Sequence, residues 1–231
     1  MKVKLWVYAL IILVTGVTTA HAQTTDTTKQ PSPEARAKSD AEVDKKAAAW
    51  IGSLQLTDGE KVNRLTAVVS THLKAIRDWN NDHPYTTVPA GIDPATGKPL
   101  STMDRQIIAI SAMPKSIHDD LMTGLRKDLT EDQVGLILDK YTIGKVAFTL
   151  AGYKAIVPDL TPQEEATILT NLQQAREQAV DFKNVKQISA IFEIYKTKNE
   201  QYLNANGRNW HALFKTYVDA QKAKKAAAAG K

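Results

Sequence analysis

The stretch Leu160-Thr161-Pro162-Gln163-Glu164 carries the signals that begin an α-helix. Thr161 is a preferred N-cap residue, and Pro162 stands at the first helical position, where the missing N–H of proline leaves no hydrogen bond unmade. Glu164 lies three residues after Thr161, so its carboxylate can accept from the backbone N–H of the cap and close a capping box. Apolar residues recurring at intervals of three and four predict a helix continuing to Phe182.

Two further stretches repeat this arrangement, Leu56-Thr57-Asp58-Gly59-Glu60 and Leu129-Thr130-Glu131-Asp132-Gln133, and we expect Thr57 and Thr130 to cap helices. Other helix starts are predicted at Pro33, Ser101 or Thr102, Ser116, Asn184 and Asn209. The sequence therefore predicts an all-α fold, an irregular single-domain bundle of roughly seven to nine helices over residues 33–221.

The first 22 residues have the composition of a secretory signal peptide. A basic start at Lys2 and Lys4 precedes an apolar run, and Ala20-His21-Ala22 supplies small residues for cleavage after Ala22. The run is too short to span a bilayer comfortably, and without cysteine there is no lipobox. We expect a periplasmic or secreted protein with no membrane span after cleavage, a flexible lead at 23–32 and a flexible Ala/Lys-rich tail at 222–231.

The net charge and the absence of common catalytic motifs make some classes of function less favoured. The formal net charge of +5 falls by two when Lys2 and Lys4 are removed, which argues against a nucleic-acid partner. The sequence lacks a P-loop, a G-x-G-x-x-G, an H-E-x-x-H and a G-x-S-x-G, so an enzyme is not favoured and no cofactor is predicted. No metal site is predicted either, and His72 is expected to be a packing histidine beside the apolar seam of the second helix.

Residues 82–101 interrupt the helical pattern with four prolines, at 84, 89, 94 and 99. A loop of about twenty residues exceeds the usual length and is either functional or disordered. Its composition favours order, because Tyr85, Val88 and Ile92 can act as apolar anchors. The sequence thus predicts a long, ordered, proline-rich loop.

A polar and aromatic cluster stands where the second helix meets this loop, at Arg77, Asp78, Trp79, Asn81, Asp82, His83 and Tyr85. Flat rings cover the C–H faces of sugars while amides, carboxylates and arginine bind hydroxyls, so this segment is a candidate carbohydrate site. The alternative is that Trp79 and Tyr85 pack the loop down while the charged residues cap the helix. Trp210 and His211 form a second candidate, with packing of Trp210 as its alternative.

A face of small residues is predicted in the helical segment that ends at Val157-Pro158, at Gly144, Ala147, Ala151 and Ala155. Such a face allows another helix to approach closely. The sequence therefore allows a close helix contact at this face.

The chain resembles a domain-of-unknown-function family of exported proteins from Bacteroides-like bacteria, for which sugar binding is the suggested role. The resemblance lies in Leu160-Thr161-Pro162-Gln163-Glu164, Ile191-Phe192-Glu193-Ile194-Tyr195 and Tyr202-Leu203-Asn204-Ala205-Asn206-Gly207. It implies an all-helical fold and an envelope location beside polysaccharide-degrading systems, and it transfers no active site. The stretch Leu129-Thr130-Glu131-Asp132-Gln133 also resembles the Leu-Thr-x-x-Gln motif of periplasmic chaperones.

Three functions remain open at this point. The first is carbohydrate binding in polysaccharide utilisation. The second is a chaperone-like or protein-interaction module whose partners are other envelope proteins, which predicts an exposed apolar surface. The third is a polysaccharide-active enzyme, which predicts a pocket with two facing carboxylates about 5–10 Å apart.

Overall fold

A computed structural model describes residues 31–94 and 96–229. The predicted signal peptide lies outside the described residues, as does the predicted lead except for its last two residues. The described part contains nine α-helices and one short 3₁₀-helix, which confirms the all-α prediction and its helix number. The α-helices are α1 Pro33–Gly52, α2 Gly59–Asp82, α3 Thr102–Ser111, α4 Lys115–Asp128, α5 Glu131–Tyr141, α6 Lys145–Ile156, α7 Pro162–Ala179, α8 Val185–Ala205 and α9 Trp210–Ala229.

The predicted caps are confirmed at the starts of α5 and α7. Thr130 and Thr161 each accept from the backbone N–H three residues on, and Gln133 and Glu164 each accept from the cap backbone, so both capping boxes are complete. Ser101 caps α3 in the same way.

Two predicted caps are wrong. Asp58, not Thr57, caps α2, because its carboxylate accepts from the N–H of Lys61 at 3.0 Å and the helix begins one residue later. Ser116 lies inside α4, which starts directly after Pro114 without a side-chain cap. The proline fixes its own backbone and leaves the next residue free to begin the helix.

The helices enclose two apolar cores. The first is formed by α1, α2, α4 and α5 around residues such as Ile51, Leu65 and Leu125. The second is formed by α3, α6, α7 and α8 around residues such as Leu172 and Phe192. The turn between α7 and α8 lies where they meet, because Val180 belongs to the first core and Phe182 to the second.

The loop between α2 and α3 contains a 3₁₀-helix, Tyr85–Thr87, and an antiparallel bridge between Ile92 and Pro99. The prediction that Ile92 and Tyr85 anchor it by burial is wrong, since both are exposed, Ile92 to 60%. Arg105 of α3 holds the loop instead, because its guanidinium donates twice to the carbonyl of Val88 and lies over the Tyr85 ring. Polar contacts thus replace the expected apolar ones.

The predicted small-residue face lies along α6, whose N-cap is Gly144, and its alanines are exposed. Ala147, Ala151 and Ala155 all face outwards, and the neighbouring Phe148 is 77% exposed. The cores take the opposite side of α6, where Val146 and Tyr153 are buried.

The last helix continues to Ala229, through most of the segment predicted to be flexible. All side chains at 221–228 are exposed. The flexibility of this segment stays a prediction. Within residues 31–94 and 96–229, no helix is both long and apolar enough to cross a bilayer.

Candidate functional site

The charged residues of the first predicted site, Arg77 and Asp78, bind side chains of α1. Arg77 donates to Asp40 at 2.6 Å and to Ser39 at 2.9 Å, both on α1. Asp78 pairs with Arg77 at 2.8 Å and with Arg36 of α1 at 2.7 Å. These two residues therefore join α2 to α1.

The remaining residues of this predicted site contact other parts of the structure. Trp79 is half-buried, stacks on His83 with ring centroids 3.6 Å apart, and donates its indole N–H to the carbonyl of Ala109 at 2.9 Å. Asn81 accepts from Lys183 at 3.2 Å, while Asp82 is exposed. The structure thus does not gather the segment around one cavity, and its role as a ligand site stays a prediction.

The second predicted site is also partly occupied by packing. The Trp210 ring lies 5.1 Å from that of Tyr153 and 6.0 Å from that of Phe214, between centroids. His211 is exposed. The nearby hollow is lined by Arg208, whose guanidinium binds both Glu164 and Asp159 at 2.8 Å.

A cluster absent from the sequence predictions joins three separate helices at the α7–α8 turn. Asp181 accepts from Nε2 of His72 at 3.0 Å with one carboxylate oxygen, and from Nδ1 of His118 at 3.0 Å with the other. His72 lies on α2 and is only 2% exposed, whereas His118 lies on α4 and is partly accessible. Nδ1 of His72 lies 3.2 Å from the Tyr141 hydroxyl on α5.

The local sequence explains why Asp181 reaches this position. α7 ends at Ala179, and the turn directs Val180 and Phe182 into the two cores, so the polar residue between them lies at their boundary. With Nε2–H of His72 donating to Asp181, its Nδ1 accepts from the hydroxyl of Tyr141. Both ring nitrogens of the buried His72 then have a hydrogen-bond partner.

The electrostatics of the cluster follow from burial and these hydrogen bonds. Burial disfavours the charged form of Asp181, but the hydrogen bonds from His118 and His72 outweigh it and hold the pKa of that carboxyl below its usual range. The hydrogen bond to Asp181, opposed in part by burial, raises the pKa of His118. Burial, with the charge of Asp181, raises the pKa of Tyr141 above its usual range.

His118 and Asp181 line a surface cleft with a volume of about 560 Å³. Nε2 of His118 is 4.0 Å from Glu177, too far for a direct hydrogen bond. Glu177 in turn lies 3.4 Å from Arg126. The cleft is lined by Ile110, Ser111, Met113, Pro114, Lys115, His118, Asp119, Gln174, Glu177, Gln178, Asp181, Phe182 and Tyr195.

The arrangement suits polar recognition and proton transfer. Among residues 31–94 and 96–229, no group of three histidine, aspartate or glutamate side chains is placed to hold a metal ion. An imidazole with one nitrogen bonded to a carboxylate and the other free is the arrangement of a general acid or base. Two aromatic rings and two amide side chains border it in the same cleft.

A family profile matches residues 9–223, and that family is described as proteins of unknown function, DUF3826. The chain belongs to this family. A search among curated proteins finds no match. The DUF3826 match extends over α1–α8 and most of α9, so both cores and the cleft lie within the family region.

Sequence reasoning about this DUF3826 chain missed the cluster because its members are far apart along the chain. His72 and Asp181 are separated by 109 positions, and His118 and Asp181 by 63. Neither histidine has a partner at helical spacing, which made each look isolated. The one available signal was Asp181 itself, a carboxylate between apolar residues at the end of a predicted helix.

Proposed function

We propose that this DUF3826 protein is exported and binds carbohydrate in the cleft between α4 and α7, as part of polysaccharide utilisation. The observation that carries the proposal is the pairing of aromatic and polar side chains in one cleft, Tyr195 and Phe182 with Gln174, Gln178 and His118. Ligand sites combine an apolar surface with a few fixed polar groups in this way.

The polar groups of the cleft differ in how firmly they are held. His118 is fixed by Asp181, and Glu177 lies between His118 and Arg126. Gln174 and Gln178 are exposed on α7, one turn apart, so their amides face the same side. Fixed and adjustable hydrogen-bonding groups together match the hydroxyls of a sugar ring.

Calorimetry against a panel of neutral and acidic oligosaccharides tests this site. We expect the double substitution Gln174→Ala and Gln178→Ala to weaken binding at least tenfold. Gln173→Ala is the matched control, because Gln173 is exposed on the same helix but does not line the cleft. If the double variant binds as tightly as the wild type, the cleft is not the binding site, and the segment around Trp79 should be tested next. If the wild type binds no oligosaccharide, the proposal is wrong.

Export is tested on the full chain produced in a Gram-negative host. We expect protein in the periplasmic fraction whose first residue, by mass spectrometry, is Gln23, because cleavage follows Ala22. Ala22→Asp should block cleavage, since the site needs a small residue there. Full-length protein in the cytoplasm would contradict export.

A chaperone-like function is the second candidate, favoured by exposed apolar side chains on α5, on α6 and in the turn between them. Leu136, Ile143 and Phe148 are each more than half exposed. Exposed apolar patches mark interaction surfaces. Suppression of client aggregation by the wild type but not by Phe148→Ser, without sugar binding, would replace the carbohydrate proposal with this one.

A further inference from the structure

We propose that the cleft also hydrolyses acyl esters carried by the carbohydrate it binds, with His118 as the general base and Asp181 as the residue that positions it. This inference rests on the proposed carbohydrate site. It concerns the same cleft but adds a reaction and a class of substrate.

The geometry leaves one nitrogen of His118 available for chemistry. Because Nδ1 donates to Asp181 at 3.0 Å, the proton of the neutral imidazole resides on Nδ1, and Nε2 carries the lone pair. Nε2 lies beyond hydrogen-bonding distance of Glu177, at 4.0 Å. It is therefore free to accept a proton from a water in the cleft.

The second histidine distinguishes this arrangement from a simple surface ion pair. His72 binds the other oxygen of Asp181 at 3.0 Å from a position that is almost wholly buried. His72 is itself held at its second nitrogen by Tyr141. The carboxylate thus cannot rotate away, and the His118 ring keeps one orientation.

The reaction balances with water as the only co-reactant. The water oxygen attacks the acyl carbon, its proton passes to Nε2 of His118, and the carbonyl π electrons move to oxygen. When this tetrahedral species collapses, the bond between the acyl carbon and the sugar oxygen breaks, and Nε2 returns the proton to the leaving oxygen. The products are a free hydroxyl on the sugar and a carboxylic acid, which ionises in water.

Donors for the developing oxyanion border the same cleft. Gln174 and Gln178 carry side-chain amides and Lys115 carries an ammonium group. Hydrogen-bond donors near a developing negative charge stabilise it and lower the barrier of acyl transfer. Gln174 and Gln178 belong to α7 and His118 to α4, so the amide donors and the base come from different helices that line the cleft.

The reaction should depend on pH in a defined direction. The charged groups around His118 are Asp181 from the α7–α8 turn, Glu177 from α7, and Asp119 and Lys115 from α4, with His72 of α2 behind Asp181. The hydrogen bond to Asp181 and the nearby carboxylates favour the protonated imidazole, so the pKa of His118 is raised. The neutral form, which acts as the base, predominates only above that pKa. Activity should rise as pH increases through it.

Initial rates of ester hydrolysis by the mature protein test the inference, with 4-nitrophenyl acetate and acetylated xylan as probes. We expect His118→Gln to lower kcat by about 100-fold or more, the usual contribution of a general base. The variant keeps every other histidine, so the loss reports His118 alone. Gln173→Ala should retain wild-type rates.

Asp181→Asn separates positioning from a merely structural role. We expect it to lower kcat with little change in KM, and to shift the pH midpoint downwards because the charge that raises the pKa of His118 is gone. Equal rates for wild type and His118→Gln would overturn the inference. Oligosaccharide binding without hydrolysis would leave the proposed function standing, and hydrolysis without oligosaccharide binding would remove the proposed function instead.

Discussion

His118 and Asp181 shift each other's pKa values in opposite directions, so their contribution to stability should depend on pH. The pKa of His118 is raised above 6.5, so its contribution is fully present below pH 6.5 and is lost as pH rises through the folded pKa. The pKa of Asp181 is lowered below 3.8, so its contribution is present above pH 3.8 and is lost as pH falls through the folded pKa. The two contributions overlap between these limits.

We therefore expect His118→Gln to reduce the free energy of unfolding most at pH 5 and much less at pH 9. Urea unfolding of both proteins at the two pH values measures this difference. His211→Gln is the control, because that side chain is exposed and has no resolved ionic partner. An equal loss at both pH values would show that His118 contributes by packing alone.

Glu164 should give the chain a second, more acidic transition. Hydrogen bonds from Arg208 at 2.8 Å, opposed by burial and aided by the Thr161 backbone, lower the pKa of Glu164 from 4.5 to about 2. Its stabilising contribution is therefore present above pH 4.5 and is lost as pH falls towards 2. Glu164→Gln should be destabilised at pH 7, and the difference from wild type should close in that acid range.

Acid titration followed by circular dichroism measures the closing difference. Glu165→Gln is the matched control, since Glu165 is the adjacent carboxylate and pairs with Lys154 at a more exposed position. A difference between wild type and Glu164→Gln that persists at pH 2 would contradict the assignment.

At the scale of elements, α2 and α4 approach closely at Gly124. A Cβ added there would lie 2.7 Å and 2.8 Å from the two γ carbons of Val68, a branched side chain that cannot easily move. Although alanine favours a helix over glycine by about 1 kcal/mol, the clash should dominate, and we expect Gly124→Ala to destabilise the protein by about 1–3 kcal/mol.

Gly152 of α6 provides the control for this prediction. It also lies within a helix, but a Cβ added there meets nothing within 4 Å. Gly152→Ala should therefore gain up to about 1 kcal/mol from helix propensity alone. Urea unfolding should place the two variants on opposite sides of wild type, and stabilisation by both would show that α4 can move away from α2.

Helix starts were predictable where one residue has a clear local advantage. Thr130 and Thr161 cap their helices as expected, because the residues they bind lie within one turn. Thr57 failed because the adjacent Asp58 is an equally good cap, and local sequence does not rank the two. Which face of α6 is covered could not be predicted, since apolar residues occur all round that helix and only packing selects a side.

The histidine cluster lay beyond local reasoning for a related reason. Its contacts connect α2, α4, α5 and the α7–α8 turn, and they exist only because the two cores meet there. The sequence identified Trp79 and Arg77 because they are close in the chain, yet the fold turns them towards different helices. Proximity along the chain was a poor guide to proximity in space.

At the scale of the whole molecule, the cluster joins the two halves of the bundle. Asp181 follows α7 of the second core, while His72, His118 and Tyr141 all project from helices of the first. A second link is the ion pair between Arg176 of α7 and Asp139 of α5, at 3.1 Å. Polar contacts therefore join the two cores beside their apolar boundary, and we expect them to couple the unfolding of the two halves.

Removing the central carboxylate should loosen that boundary before it unfolds either core. In Asp181→Ala the buried His72 loses its acceptor, which should cost about 1–3 kcal/mol. Hydrogen exchange followed by mass spectrometry should then show faster exchange in peptides covering the α7–α8 turn and the facing segments of α2 and α4. Asp44→Ala is the control, because Asp44 joins α1 to α2 through Lys74 and Ser70 and should leave exchange in the α7–α8 turn unchanged. Uniform acceleration throughout the chain would mean that the two cores open together, and it would contradict a local loosening of their boundary.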